Sequence, residues 1–242
     1  MLFSKLRVIK QIYYILAFFF FALGLGLHFL PDYDYLLLHF FNSKFYNPDF
    51  FKYFTEIGNG FIAAAFVIPL LSLVSDKFKA FNFVPLSALI FPTIYMGLIN
   101  SFLKKEFFAF ERPGFYEFEN IEYLEPVFKY DSFPSGHAAT IFVIVFIWLG
   151  LAVKKGFKYK PYLYGILISL ASFVAISRVI IGAHWVSDIL ASIGIAFLFR
   201  AFVDLKFFYN HITQSKVLKY LSYVVVLTAW VNILFFDISD YF

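Results

Sequence analysis

The stretch HAATIFVIVFIWLGLAV, residues 137–153, contains no Asp, Glu, Lys or Arg. A helix that crosses a bilayer needs about 20 mostly apolar residues, within a range of about 17–25. Six further runs of this kind lie on either side of it in the chain: 12–31, 57–75, 83–103, 161–181, 185–203 and 220–236. The sequence therefore predicts an all-α fold, a polytopic transmembrane helical bundle with six core spans and a seventh, C-terminal span.

The composition excludes a soluble globular protein. Of the 242 residues, 62% are apolar and 15% are charged, against about 45–50% and about 25% in soluble domains, and the mean hydropathy is +0.78. The absence of Cys excludes disulfides, thiolate metal sites and a Cys nucleophile. Without repeats or a linker, this length predicts a single integral membrane domain over 1–242, with a motif-bearing core at about 83–203.

The basic residues predict how the bundle is oriented. With a cytoplasmic N-terminus, thirteen of the 20 Lys and Arg residues fall on the inner side, in agreement with the positive-inside rule. This role accounts for the net charge of +4 and the pI near 9.0, so we expect no nucleic acid as a partner. Seven basic residues remain on the outer side against this bias: Lys44, Lys52, Lys104, Lys105, Arg112, Lys129 and Arg178.

Three clusters of polar residues fall at the outer ends of four predicted spans. In the first, Lys105 and Arg112 are seven residues apart, about two helical turns, so they share a face if the third span continues as a helix. Pro113 disfavours a helical conformation at Arg112, which indicates that the chain leaves the helix there. In the second, Ser135 and Gly136 open the fourth span, where the free backbone N–H groups of a helix start can hold an anion.

The third cluster and His137 supply the reactive groups. Arg178 closes the fifth span, and His184 and Asp188 open the sixth with an i, i+4 spacing that puts imidazole and carboxylate side by side. Asp188 would keep one ring nitrogen of His184 protonated and leave the other as a lone pair for nucleophilic attack. His137, at the start of the fourth span, would protonate the departing oxygen and later deprotonate a water.

Each of these features, taken singly, has an ordinary structural interpretation. A lone basic residue near a membrane boundary is usually an anchor, and a Ser before a helix is usually a cap. For Gly58-Asn59-Gly60, at the start of the second span, close helix packing with a satisfied amide is favoured over a place in the site. The concentration of the other residues on one side favours a ligand of concentrated negative charge, and phosphate fits three cations best.

The patterns Lys-x6-Arg-Pro, Pro-Ser-Gly-His and Ser-Arg-x5-His-x3-Asp, in this order, resemble the three signature motifs of the type 2 phosphatidic acid phosphatase (PAP2) superfamily. The predicted spans indicate its membrane lipid phosphatase branch, although relatives commonly have six spans. The resemblance implies catalysis without a metal or other cofactor, through a phosphohistidine on His184 that Asp188 orients, with His137 as acid and base. It also implies a set of phosphate-binding residues: Lys105, Arg112, Ser135, Gly136 and Arg178.

The resemblance further implies a lipid substrate with a terminal phosphate monoester or diphosphate. Members of the family act on phosphatidylglycerol phosphate, phosphatidic acid, undecaprenyl diphosphate or the phosphates of lipid A, and the sequence does not choose among them. We expect a multi-pass protein of a bacterial-type inner (plasma) membrane, with its site facing the periplasm or exterior and no obligate protein partner.

Two other functional classes stay open at this point. A lipid phosphotransferase using the same phosphohistidine intermediate is the main alternative. A non-enzymatic transporter or a haem-binding membrane protein is less favoured, because haem ligation calls for paired histidines deep within the spans, and His137 and His184 lie at span starts among cations.

Overall fold

The computed structural model describes residues 2–203 and 206–236, in which all regular secondary structure is helical. Apart from one isolated bridge between Phe81 and Val153, these residues contain no β-structure. They form twelve α-helices: α1 (Leu2–His28), α2 (Pro31–Phe45), α3 (Pro48–Phe54), α4 (Gly60–Ile62), α5 (Ile68–Lys77), α6 (Leu86–Phe102), α7 (Pro113–Tyr116), α8 (Gly136–Ala152), α9 (Lys160–Ile180), α10 (Val186–Val203), α11 (Lys206–Gln214) and α12 (Lys216–Phe235). The predicted all-α fold class is confirmed.

Within the described ranges, six helices are long and apolar enough to cross a membrane. They are Lys10–His28, Gly60–Lys77, Leu86–Tyr116, Lys160–Ile180, Val186–Val203 and Lys216–Phe235. Six of the seven predicted apolar runs, including the C-terminal run, correspond to these helices, and the run 137–153 corresponds to the shorter apolar helix α8. The polytopic helical bundle is confirmed. The extent of the single domain over 1–242 stays a prediction, since residues 1, 204–205 and 237–242 lie outside the described ranges.

The centre of the bundle is α8, whose 17 residues make it shorter than those six helices. It is apolar on every face, and such a helix belongs in a core. All residues from Ala138 to Leu149 are buried, and α8 packs against α6, α9 and α10. The Trp148 indole donates to the Leu71 carbonyl at 2.9 Å and to the Ser75 hydroxyl at 2.8 Å, which fixes α8 to α5.

The first span lies against α10 in close backbone contact. A Cβ on Gly194 would come within 2.7 Å of the Phe21 nitrogen, and a Cβ on Gly24 within 2.6 Å of the Ala191 nitrogen. Small residues allow transmembrane helices to approach this closely. The two glycines therefore determine where α1 lies along α10, the helix that carries Asp188.

At the predicted outer end, the Asn42 side chain helps to tie α2 and the segment 109–135 to the bundle. The Asn42 amide accepts a hydrogen bond from the Glu122 N–H at 2.9 Å. It also donates to the carbonyl oxygens of Glu122 and Ile180, both at 2.7 Å. This single buried amide joins α2, the long outer segment and the end of α9.

Candidate active site

His184 and Asp188 form the pair that their spacing predicts. Nδ1 of His184 lies 2.9 Å from Oδ2 of Asp188, and the two side chains are 1% and 0% exposed. The same oxygen accepts hydrogen bonds from the Ser132 hydroxyl at 2.5 Å and from the Trp185 N–H at 3.0 Å. An oxygen fixed in this way orients the imidazole, places the ring proton on Nδ1 and leaves the lone pair on Nε2.

The surroundings of His184 keep its ring neutral. Burial is the largest of the causes that hold the pKa of His184 well below its ordinary value of 6.5. Nearby positive groups lower the same pKa further: Arg112, Lys104, Arg178 and His137. A neutral imidazole is the nucleophilic form, and the cations that prevent its protonation are also suited to stabilise a negatively charged ligand.

A tight turn between α9 and α10 places Arg178 next to His184. The Arg178 carbonyl accepts hydrogen bonds from the N–H groups of Ala183 and His184, at 3.0 Å and 3.1 Å. Gly182 has a φ of 72°, and a Cβ there would lie 2.7 Å from the Tyr123 ring. The positive φ and the lack of space both exclude a side chain at this position. Glycine is therefore needed for the turn that places Arg178 beside His184.

Both predicted arginines are held in place by hydrogen bonds. Arg112 has an extended backbone, as the following proline predicted, and its guanidinium donates to three carbonyl oxygens: Tyr130 at 2.7 Å, Ala183 at 3.2 Å and Asp131 at 3.3 Å. Arg178 is 1% exposed and donates from Nη1 to Thr55 Oγ1 at 3.3 Å. Planar donors whose orientation is fixed in advance suit the oxygens of a phosphoryl group.

The start of α8 is bonded to the start of α10. Ser135 Oγ accepts from the Ala138 N–H at 3.5 Å, the capping role that the sequence also allowed. The Ser135 N–H donates to the Asp188 carbonyl at 3.4 Å. Ser192 Oγ lies 2.7 Å from that carbonyl oxygen and 2.9 Å from the carbonyl oxygen of Ser135. These bonds bring the helix start that carries His137 to the one that follows His184.

The lysine that reaches the site is Lys104, whereas Lys105 is exposed. Leu103–Phe108 is a π-helix, in which the Ala109 N–H bonds to the Lys104 carbonyl five residues back, at 2.8 Å. The argument that paired Lys105 with Arg112 assumed 3.6 residues per turn, which a π-helix does not have. The structure therefore does not bring Lys105 together with the other predicted residues.

Two buried carboxylates near the site were not among the predicted site residues. Glu56 is 1% exposed, and its Oε1 lies 3.6 Å from His137 Nε2. Its Oε2 accepts from the Asn59 amide at 3.0 Å, so that amide is satisfied as predicted. Asp34 of α2 accepts the Ser187 N–H at 3.2 Å and so supports the start of α10.

Burial and hydrogen bonding act on the pKa of Asp34 in opposite directions. Burial raises the pKa of Asp34, while hydrogen bonds from Ser187 and Val186 lower it. Neither Asp34 nor Glu56 belongs to a sequence motif. The one local signal was the Gly-Asn-Gly that follows Glu56 at the start of a span. Close packing is found at Gly58, where a Cβ would lie 2.9 Å from the His137 Cβ. Gly58, Asn59 and Gly60 also line a cavity beside His137, which was the less favoured interpretation.

A cavity of about 610 Å³ between α4, α5, α6, α8 and α12 lies beside Lys104 and His137. Its lining includes four residues near the outer helix ends: Asn100, Lys104, Gly136 and His137. The lining deeper in the bundle is largely apolar and includes Ile68, Ile90, Ile94, Val224 and Ala229. This combination fits a ligand that has a polar head and a long apolar chain.

Comparison with known proteins supports the fold. The sequence profile of the PAP2 superfamily matches residues 85–212. LpxE from Aquifex aeolicus is 24% identical, with a TM-score of 0.50 over 70% of this chain and 93% of that one. A transmembrane PAP2 type phosphatidylglycerolphosphate phosphatase from Bacillus subtilis is 21% identical, with a TM-score of 0.58 over 79% of this chain and 93% of that one. A search of curated proteins gives no match.

Proposed function

The chain belongs to the PAP2 superfamily, and we propose that it is a membrane lipid phosphatase that removes the terminal phosphate of a lipid phosphate monoester or diphosphate. The observation that carries this proposal is the buried His184–Asp188 pair, in which the imidazole is neutral, is oriented by the carboxylate and lies among cations. The cavity lined by Lys104 and His137 near the outer helix ends, and by apolar side chains deeper in the bundle, supports a lipid as the substrate.

In the first step, Nε2 of His184 attacks phosphorus. The N–P bond forms as the P–O bond to the lipid breaks, and Asp188 keeps the Nδ1 proton in place. His137 gives a proton to the departing oxygen, so the lipid leaves as a neutral alcohol, or as a lipid monophosphate from a diphosphate. The products of this step are the phosphohistidine and the dephosphorylated lipid.

In the second step, water attacks the phosphohistidine. His137, now neutral, takes a proton from that water, the N–P bond breaks, and inorganic phosphate leaves. Lys104, Arg112 and Arg178 contact the phosphoryl oxygens in both steps, and each such donor typically stabilises a transition state by about 2.7–4 kcal/mol. The backbone at Ser135 and Gly136, where α8 begins, is placed to add N–H groups.

The substrate class follows from the charge and shape of the site. The three cations favour a phosphate group, and the apolar lining of the cavity favours a chain attached to it. Phosphatidylglycerol phosphate, phosphatidic acid, undecaprenyl diphosphate and the phosphates of lipid A all meet both conditions. We propose that the chemistry takes place at the periplasmic or exterior face of a bacterial inner membrane, because the positive-inside rule orients the helices that way.

The test is phosphate release by purified protein from a panel of these lipids, with EDTA present. We expect release from at least one of them, and its loss in His184→Gln. His39→Gln is the matched control, since His39 lies on α2, where its ring centroid is 6.1 Å from that of Tyr35. Activity that disappears in EDTA and returns with Mg²⁺ would contradict the metal-independent mechanism, and full activity in His184→Gln would refute the proposal.

Trapping the intermediate tests the nucleophile directly. The reaction with ³²P-labelled lipid is quenched without acid. The wild-type protein should then carry a label that is stable to alkali and released by acid, as expected of a phosphoramidate. The His184→Gln protein should carry none. Adding an alcohol acceptor and analysing the products distinguishes hydrolysis from phosphotransfer, because both reactions share this intermediate.

A further inference from the structure

A buried carboxylate lies beside each histidine of the site: Asp188 Oδ2 is 2.9 Å from Nδ1 of His184, and Glu56 Oε1 is 3.6 Å from the other kind of ring nitrogen, Nε2, of His137. We infer that Glu56 is a positioning residue for His137, which makes the site a pair of carboxylate–imidazole units instead of one. This inference rests on the proposed function, because it assigns Glu56 a role through the acid–base histidine of that reaction.

The contact itself is the first argument. Glu56 is almost fully buried, and Oε1 lies 3.6 Å from Nε2 of His137, whose side chain is 12% exposed. The other oxygen is held by the Asn59 amide at 3.0 Å, which fixes the plane of the carboxylate. A buried carboxylate is costly unless it is paired, and this arrangement pairs it with the histidine and the amide.

The backbone around Glu56 is shaped to make this contact. Glu56 lies in the 3-10 turn Thr55–Gly58, just before α4. Gly58 lies so close to His137 that a Cβ on it would be 2.9 Å from the His137 carbonyl oxygen. Thr55, in the same turn, accepts the hydrogen bond from Arg178. One short turn therefore holds both the acid–base histidine and a phosphate-binding arginine.

The chemistry gives this carboxylate a purpose. His137 must hold a proton when substrate arrives, yet Lys104, Arg112 and Arg178 all lie close enough to act on the neighbouring imidazole. Positive charge opposes an imidazolium, and an adjacent carboxylate favours one. Glu56 would orient the ring while the proton passes from His137 to the departing oxygen and returns from water.

Leaving-group dependence separates this role from a structural one. An alkyl oxygen needs a proton to depart, whereas a phenolic oxygen departs readily without one. We would measure kcat/KM for decyl phosphate and for 4-hexylphenyl phosphate, because this ratio reports the step that forms the phosphohistidine. Glu56→Gln keeps the shape and the Asn59 contact but removes the charge.

We expect Glu56→Gln to lower kcat/KM for decyl phosphate by roughly 10²-fold, within the range of about 10²–10⁴ typical of general acid–base catalysis. The loss for the aryl substrate should be at least about tenfold smaller. In a His137→Asn background the same change should cost less than about twofold, because its partner is already gone. Asp49→Asn, which neutralises an exposed carboxylate on α3, should match wild type.

An equal fall for both substrates, no fall at all, or an undiminished fall in the His137→Asn background would overturn the inference. Elution of each variant as a single species in size-exclusion chromatography controls for folding. If His184→Gln and His137→Asn lose activity while Glu56→Gln does not, only the role of Glu56 fails. If His184→Gln stays active, the proposed function itself fails.

Discussion

Replacing Lys104 with alanine should reduce phosphatase activity far more than replacing Lys105. Lys104 lines the cavity and acts electrostatically on His184, whereas Lys105 is exposed. A charge about 4 Å from a phosphate gains about 4 kcal/mol at an effective dielectric constant of about 20. The two arginines remain in the variant, so we expect the loss typical of one donor, about 10²–10³-fold in kcat.

For Lys105→Ala the activation free energy should stay within about 0.5 kcal/mol of the wild-type value, roughly a twofold change in kcat, because most exposed substitutions have effects of this size. The assay is phosphate release from phosphatidic acid, or from whichever lipid of the panel is turned over, as a function of substrate concentration. Lys104→Arg should recover part of the activity, because it restores the charge. A larger loss in Lys105→Ala than in Lys104→Ala would refute the π-helical register and restore the assignment made from spacing.

Three further predictions concern other parts of the site and fold. Asp188→Asn keeps an acceptor for the ring but removes its charge, so kcat should fall roughly 10⁴-fold; a loss below tenfold in steady-state kinetics would contradict this. Folding lowers the pKa of His184 from 6.5, so the unfolded chain takes up that proton first as the pH falls. Acidification from about pH 7.5 to about 5.5 should therefore lower the melting temperature of wild type more than that of His184→Asn. An equal dependence of melting temperature on pH in the two proteins would argue against this. Gly194→Ala should lower the unfolding midpoint because its Cβ meets α1 backbone, whereas Gly165→Ala, with nothing within 4 Å, should raise stability by about 1 kcal/mol; the opposite order would disprove the close contact.

Sequence reasoning succeeds here where local geometry decides the outcome. The run 137–153 has to be a buried helix, since in a bilayer only helices and closed barrels satisfy every backbone group. The His184–Asp188 contact follows from a spacing of four within one helix start, and no long-range packing is needed to predict it. The extended backbone at Arg112 is equally local, because it follows from Pro113.

The sequence does not specify where distant segments meet or where a helix changes its period. The prediction of Lys105 relied partly on α-helical spacing, and within the π-helix Leu103–Phe108 it is Lys104 that lines the cavity. Glu56 and His137 are separated by 81 positions, and nothing in either motif links them. Contacts of this kind depend on how α4, α8 and α9 pack, which hydrophobic periodicity does not specify.

The hydroxyl of Ser192 lies within hydrogen-bond distance of two backbone carbonyl oxygens. One belongs to Ser135, just before α8 and His137, and the other to Asp188, in the first turn of α10 after His184. Because the reactive groups are locked to a common frame, the spacing between acid and nucleophile does not adjust to the identity of the lipid. Substitutions in the cavity wall contributed by α12 are therefore free to change which tail is accepted while the phosphorus chemistry stays the same. A chimaera that exchanges α12 between relatives should inherit the donor's tail preference and retain the recipient's rate-limiting step.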